Sequence, residues 1–151
     1  MIKILRDKES GICRDCSDNF PSTSSQVSIL STPTSVHWFT GTPDTQYSYF
    51  KPFIFHPTVV EASEKTRSPQ GEQVDRRHTL YLRHEQFYDR LKRDTELQMA
   101  LRHIENIFID ELEMMITSAT NNSLTNLLEN EADEIHNLFN DSVETELRFY
   151  R

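Results

Sequence analysis

The chain has 151 residues, the length of one domain, and a closed fold of this size buries roughly 68–70% of its unfolded surface. Only 36% of the residues are hydrophobic, or about 38% with the three glycines, against the usual ~45–50%, so the chain reads as short of core or as part of a larger protein. A net charge of −8 excludes the basic stripe of a nucleic-acid binder, and the basic residues between 76 and 93 are interleaved with acids.

The N-terminus Met1-Ile2-Lys3-Ile4-Leu5-Arg6-Asp7 contains no extended apolar stretch of a secretory signal. No apolar run approaches the ~18–20 residues of a membrane span, so cytoplasmic residence is the default expectation. Cys13 and Cys16 are the only cysteines and form one Cys-x-x-Cys. A thioredoxin-like site would place this motif at a helix start. Here Ser17-Asp18-Asn19-Phe20-Pro21 follows, which is turn chemistry, and Pro21 blocks an immediate helix. A zinc ribbon requires a second pair, which is missing. Two ordinary reduced thiols are expected.

Residues 1–55 form the β-rich part. Ser25-Gln26-Val27-Ser28-Ile29-Leu30 alternates polar and apolar side chains, as a half-buried strand does. A turn at Ser31-Thr32-Pro33-Thr34-Ser35 leads to a second strand, Val36-His37-Trp38-Phe39-Thr40, and the two should form an antiparallel hairpin. Gly41-Thr42-Pro43-Asp44 is a turn or loop. Phe50-Lys51-Pro52-Phe53-Ile54-Phe55 is extended, and Pro52 keeps it out of a central strand. Residues 56–77 contain Pro57, Pro69 and Gly71 and few large apolar residues, which predicts a surface loop.

Residues 78–151 form the helical part. A first helix is predicted over 79–93, with Leu80, His84, Phe87 and Leu91 on one stripe. A second opens at Asp94 or Thr95, where Thr95-Glu96-Leu97-Gln98 fits a capping box. Leu97, Leu101, Ile104, Phe108, Leu112, Met115 and Ala119 make its buried stripe. Thr120-Asn121-Asn122-Ser123 breaks it and caps a third helix carrying Leu124, Leu128, Ile135, Leu138, Phe139 and Leu147. Helices joined by so short a turn should pack antiparallel, as the most stable local unit. The fold class predicted is α+β, a β-hairpin followed by about three helices.

Chemistry is sparse in the pattern. His84-Glu85-Gln86-Phe87-Tyr88 begins like the helical zinc motif, but Tyr88 replaces the second histidine. His78 and His84 are six apart, too far round a helix to share a metal, so partly exposed, hydrogen-bonded histidines are expected. Glu105, Asp110, Glu111, Glu113, Glu129, Glu131, Asp133 and Glu134 read as a solvated acidic face. Three scattered glycines cannot build a phosphate loop, and a serine nucleophile elbow is missing. No metal and no cofactor are expected.

Three blocks carry a family resemblance. The first is Leu5-Arg6-Asp7-Lys8-Glu9-Ser10-Gly11-Ile12-Cys13 with the strand through Val27 and Leu30. The second, and most specific, is Val36-His37-Trp38-Phe39-Thr40-Gly41-Thr42-Pro43-Asp44 followed by Ser48-Tyr49-Phe50-Lys51-Pro52-Phe53-Ile54-Phe55. The third joins Asp75-Arg76-Arg77-His78-Thr79-Leu80-Tyr81 to Leu138-Phe139-Asn140-Asp141-Ser142-Val143-Glu144-Thr145-Glu146-Leu147-Arg148-Phe149-Tyr150. In order and spacing these resemble the C-terminal third of a secernin, a relative of the cysteine dipeptidases among the N-terminal-nucleophile hydrolases.

The resemblance implies that residues 1–151 are the C-terminal segment of a four-layer αββα hydrolase domain. In such enzymes the first residue of the mature catalytic chain is the nucleophile and its own α-amine is the base. That residue lies upstream of every matched block, and Cys13 matches an internal position, so the resemblance assigns no catalytic residue to this chain. Thr40, Gly41, Thr42, Phe50 and Lys51 are the candidates for an edge of the substrate cleft, beside the alternative of a structural turn. The implied partners are the N-terminal part of the same fold and a small peptide substrate. The implied activity is dipeptide hydrolysis, with this chain inactive alone. A non-enzymatic regulator of exocytosis acting through protein contacts is the alternative. A free-standing helical interaction module is a third reading, against which the aromatic hairpin speaks.

Overall fold

A computed structural model describes residues 1–30, 35–55, 67, 77–120 and 132–151. The elements are α1 (Ile2–Leu5), β1 (Ser25–Ile29), β2 (Val36–Thr40), β3 (Lys51–Ile54), α2 (Thr79–Arg93), α3 (Thr95–Thr120) and α4 (Ala132–Phe149). Among the described residues the fold is mixed α+β, one three-stranded antiparallel sheet with three long helices. The expected turn at 31–34, residues 56–66 and 68–76 of the expected 56–77 loop, the break at 121–123 and the stripe residues Leu124 and Leu128 lie outside the described residues, as do Glu129 and Glu131.

The expected hairpin is present, with Val27 opposite Trp38 and Ile29 opposite Val36. The third extended segment joins it, because Lys51 pairs with Phe39 and Pro52 with Trp38. The strand order β1-β2-β3 puts β3 at an edge, the place where a residue without an N–H can sit. One face of the sheet carries Val27, Val36, Trp38 and Ile54. The other carries His37, Phe39, Lys51 and Phe53, and α4 meets it through Phe139, whose ring lies 5.7 Å from Phe39 and 5.2 Å from Phe53.

Helices α2 and α3 bury the predicted stripes, with Leu80, Leu91, Leu101, Phe108 and Leu112 in the core and Phe87, Leu97, Ile104 and Met115 packed at its margin. The capping box does not form. Asp94 is the cap instead, and its Oδ1 accepts from the Glu96 and Leu97 amides at 3.0 and 3.1 Å. Aspartate outranks threonine as a cap because its short carboxylate reaches the N2 and N3 amides and favours the positive helix end. The Gln98 side chain, freed from a box, donates to the Leu91 carbonyl at 2.7 Å and so closes the end of α2. A single residue therefore stops one helix and starts the next.

Among the described residues helix α4 packs most extensively on β3 and less on α3, so the sheet as well as the neighbouring helix covers its inner side. Its inner side mixes Ile135, Leu138 and Val143 with the buried polar residues Ser142 and Glu146. The short α1, unmarked in the sequence because four residues are below any periodic window, packs Ile2 and Leu5 against the core. Among the described residues no helix is long and apolar enough to cross a membrane.

Candidate functional site around the buried 41–50 connection

A connection between strands ordinarily runs over the surface, because buried backbone polar groups must be paired. The connection from β2 to β3 breaks that habit. Thr42, Asp44, Thr45, Tyr47, Ser48, Tyr49 and Phe50 are all buried. Three sets of polar and charged side chains, drawn from the N-terminal segment after α1 and from β3, α2, α3 and α4, supply the partners that water would otherwise give.

The first set centres on Glu105 of α3. Its carboxylate accepts from Arg6 at 2.5 and 2.9 Å, from Arg102 at 3.0 Å and from the Phe50 amide at 2.7 Å. Both guanidinium groups also donate to the Ser48 carbonyl, Arg6 reaches the Thr45 carbonyl at 3.1 Å, and Arg102 reaches that of Gln46 at 2.9 Å. Burial pushes the Glu105 carboxyl up, and Arg6 and the Phe50 amide oppose it. Glu105 thus departs from the solvated acidic face expected of it. It falls four residues after Leu101 and three before Phe108, inside the apolar stripe. The exposed Asp110, Glu113, Asp133 and Glu134 do sit as predicted, and Glu111 is half-buried.

Asp44 holds the second set. Its backbone is left-handed, with φ of 58°, a conformation that aspartate tolerates better than most residues. One carboxylate oxygen accepts from the Gln46 amide at 3.1 Å and from the Cys13 thiol at 3.4 Å, and the other from Lys8 at 3.0 Å and the Tyr88 hydroxyl at 2.7 Å. Lys8 and Lys92 converge on Asp15 at 3.2 and 3.0 Å. Burial, then Asp44, raises the Cys13 thiol, and burial raises the half-buried Cys16 as well. Both cysteines are free, and neither is activated.

The third set ties α2, β3 and α4 together. Lys51 forms an ion pair with Glu146 at 2.5 Å, donates to the Tyr49 carbonyl at 3.2 Å and lies 4.6 Å from the Tyr49 ring centre. The Tyr150 hydroxyl lies 2.7 Å from Glu146 Oε1 and 2.8 Å from His84 Nδ1, and His84 Nε2 lies 2.9 Å from the Pro43 carbonyl. His84 is fully buried, contrary to the partly exposed histidine expected. It sits on the α2 stripe, and burial is permitted because both ring nitrogens are occupied. Glu146 and Tyr150 escaped the sequence reading, although the four-residue steps 138, 142, 146 and 150 mark one side of α4.

The cleft candidates are placed as follows. Thr40 is buried and accepts from the Ser25 amide at 3.1 Å. Thr42 is buried against the Ser48 hydroxyl at 2.5 Å. Phe50 and Lys51 are buried within the Glu105 and Glu146 sets. Gly41 alone is exposed, and a Cβ there would meet nothing within 4 Å. None of the five lines the groove of about 420 Å3 between α1, β1 and α3, whose walls are mostly Met1, Ile2, Val27, Ile29, Trp38 and Ile109. No group of three metal-ligating side chains occurs among the described residues.

No protein-family model matches this chain, and no solved structure matches it significantly. In the three sets each carboxylate faces a cation or an amide, and burial raises both thiols.

Proposed function

We propose that this chain is the C-terminal segment of a secernin-like protein, a structural part of an αββα N-terminal-nucleophile hydrolase whose family activity is cysteine-type dipeptide hydrolysis. Alone it is inactive. The observation that carries this reading is the state of Cys13, buried with its thiol directed at the Asp44 carboxylate, which favours the protonated form. Among the described residues no imidazole is paired with either cysteine to act as its base. The resemblance supplies the rest, since its matched blocks leave the nucleophile upstream. Small peptides as substrate and cytoplasmic residence belong to the same proposal.

The purified chain, with Cys13→Ala and Cys16→Ala variants beside it, should hydrolyse no member of a dipeptide panel above background. Joining it to the family's N-terminal part should bring turnover that survives both substitutions. Turnover by the chain alone that vanishes in either variant sinks the reading. The alternative, a non-enzymatic regulator acting through protein contacts, is favoured by the exposed side chains of Phe20, Leu30 and Phe55. A joined protein with an intact N-terminal cysteine and no turnover would select it.

A further inference from the structure

Three contacts in series demand more protons than their groups carry when His84 is neutral and Glu146 ionised. The series runs from the Pro43 carbonyl through His84 and Tyr150 to Glu146, at 2.9, 2.8 and 2.7 Å. Each contact needs one hydrogen. A carbonyl and a carboxylate supply none, a neutral imidazole one and a tyrosine one. Two hydrogens cannot serve three contacts. If Nε2 carries the imidazole proton, the Tyr150 hydroxyl must choose between Nδ1 and Glu146. If Nδ1 carries it, Nε2 and the Pro43 oxygen face each other with lone pairs. Every neutral arrangement leaves two acceptors in contact inside the fold, which is costly where no water relieves them.

We propose that His84, Tyr150 and Glu146 share a third proton, held on the His84 imidazole, and that this proton fastens α2 and the end of α4 to the buried 41–50 connection as a pH-sensitive latch. Glu146 is the other place it could reside, but its second carboxylate oxygen lies 2.5 Å from the Lys51 ammonium, an ion pair that a proton on that carboxyl would undo. With His84 as imidazolium, both ring nitrogens donate, Tyr150 accepts from one and passes its own hydrogen to Glu146, and all three contacts become hydrogen bonds.

The charged and titratable groups facing His84 come from every element packed on it. Glu146 and Tyr150 lie at the end of α4, Lys51 in β3, Asp44 and Tyr49 in the connection, and Tyr88 one turn on in α2. Burial, the largest influence, and Lys51 pull the ring's pKa below the ordinary histidine value, against Glu146, the Pro43 carbonyl and Asp44. A proton on Glu146 would satisfy the three contacts equally but would undo the ion pair with Lys51, so the four contacts taken together favour the imidazolium against the pull of burial.

A histidine that binds its proton more tightly when folded stabilises the fold fully below its unfolded pKa of about 6.5, and that stabilisation is lost as pH rises through the higher folded value. The released contact is Tyr150, so the end of α4 should loosen first on the alkaline side.

The test is long-range 1H–15N spectroscopy of the imidazole rings in the full chain from about pH 5 to about pH 9, where histidine titration is read directly. His84 is assigned by the signal lost in His84→Gln. The expected result is an imidazolium that persists at least about one unit above the ordinary value of ~6.5. Tyr150→Phe leaves Pro43 as the only partner that needs a hydrogen, and Glu146→Gln brings an N–H of its own to Tyr150. Either change should bring the His84 pKa below the ordinary value. A wild-type His84 that is neutral at about pH 6 overturns the proposal, and this reading needs no variant to fold. A raised value unchanged in both variants overturns it equally.

Discussion

Glu105 receives two guanidinium groups and a backbone amide, so its removal strands Arg6 and Arg102 as well as the Phe50 N–H. Breaking a buried ion pair from one side costs about 3–5 kcal/mol, because the remaining charges lose both partner and water. Glu105→Ala should lower stability by that order in a urea titration. Glu113→Ala, on the exposed side of the same helix, should change it by less than about 0.5 kcal/mol. Equal losses would show that the network around Ser48 does not organise the connection. A sequence reading sees both residues as glutamates on one acidic helix. Only the spacing of Glu105 from Leu101 and Phe108 hints at the difference, and which partners cross the core to meet it is a long-range fact.

The helices were more legible than the sheet contacts that hold them. A run of apolar residues at three- and four-residue steps marks α2 and α3 with bounds that match the structure, because helical periodicity is local. Capping is local too, yet the pattern left both Asp94 and Thr95 open as the start of α3, since they stand side by side and only geometry separates them. Asp94→Ala should therefore destabilise the protein by about 0.5–2 kcal/mol and Thr95→Ala by a few tenths at most. The measurement is a pair of thermal or urea transitions, and a larger loss at Thr95 would restore the capping box. Packing partners were less legible. Helix α4 shows a clear stripe, but a stripe does not say whether another helix or a sheet will cover it. Phe139 settles on Phe39 and Phe53, where the sheet offers aromatic edges.

As a whole the molecule leaves apolar surface and sheet edges uncovered among its described residues. Met1, Ile4, Ile29, Leu30 and Phe55 are all more than half exposed, and β1 and β3 are both edge strands. Such surfaces recruit other chains or pair strand to strand. The purified chain should bind a hydrophobic dye and elute as oligomers whose size grows with concentration. A dye-silent monomer with a sharp thermal transition would mean that the surface is covered, and would count against a segment that completes a larger fold.

By itself the sequence determined the mixed α+β class, the hairpin of β1 and β2, the extended run that Pro52 keeps out of a central strand, and the bounds of α2 and α3. Each follows from side-chain periodicity or from the chemistry of a single residue, which act over a few positions. The tertiary structure alone decided that the 41–50 connection is interior. A turn rich in Thr, Pro, Asp and Ser reads as surface, because its polar backbone needs partners. Here Arg6, Glu105, Lys51 and His84 bring those partners, from as far as 55 residues away in sequence, and no local pattern encodes them. Charge that looks like solubility along the chain becomes, in three dimensions, the bonding that lets a loop lie in the core.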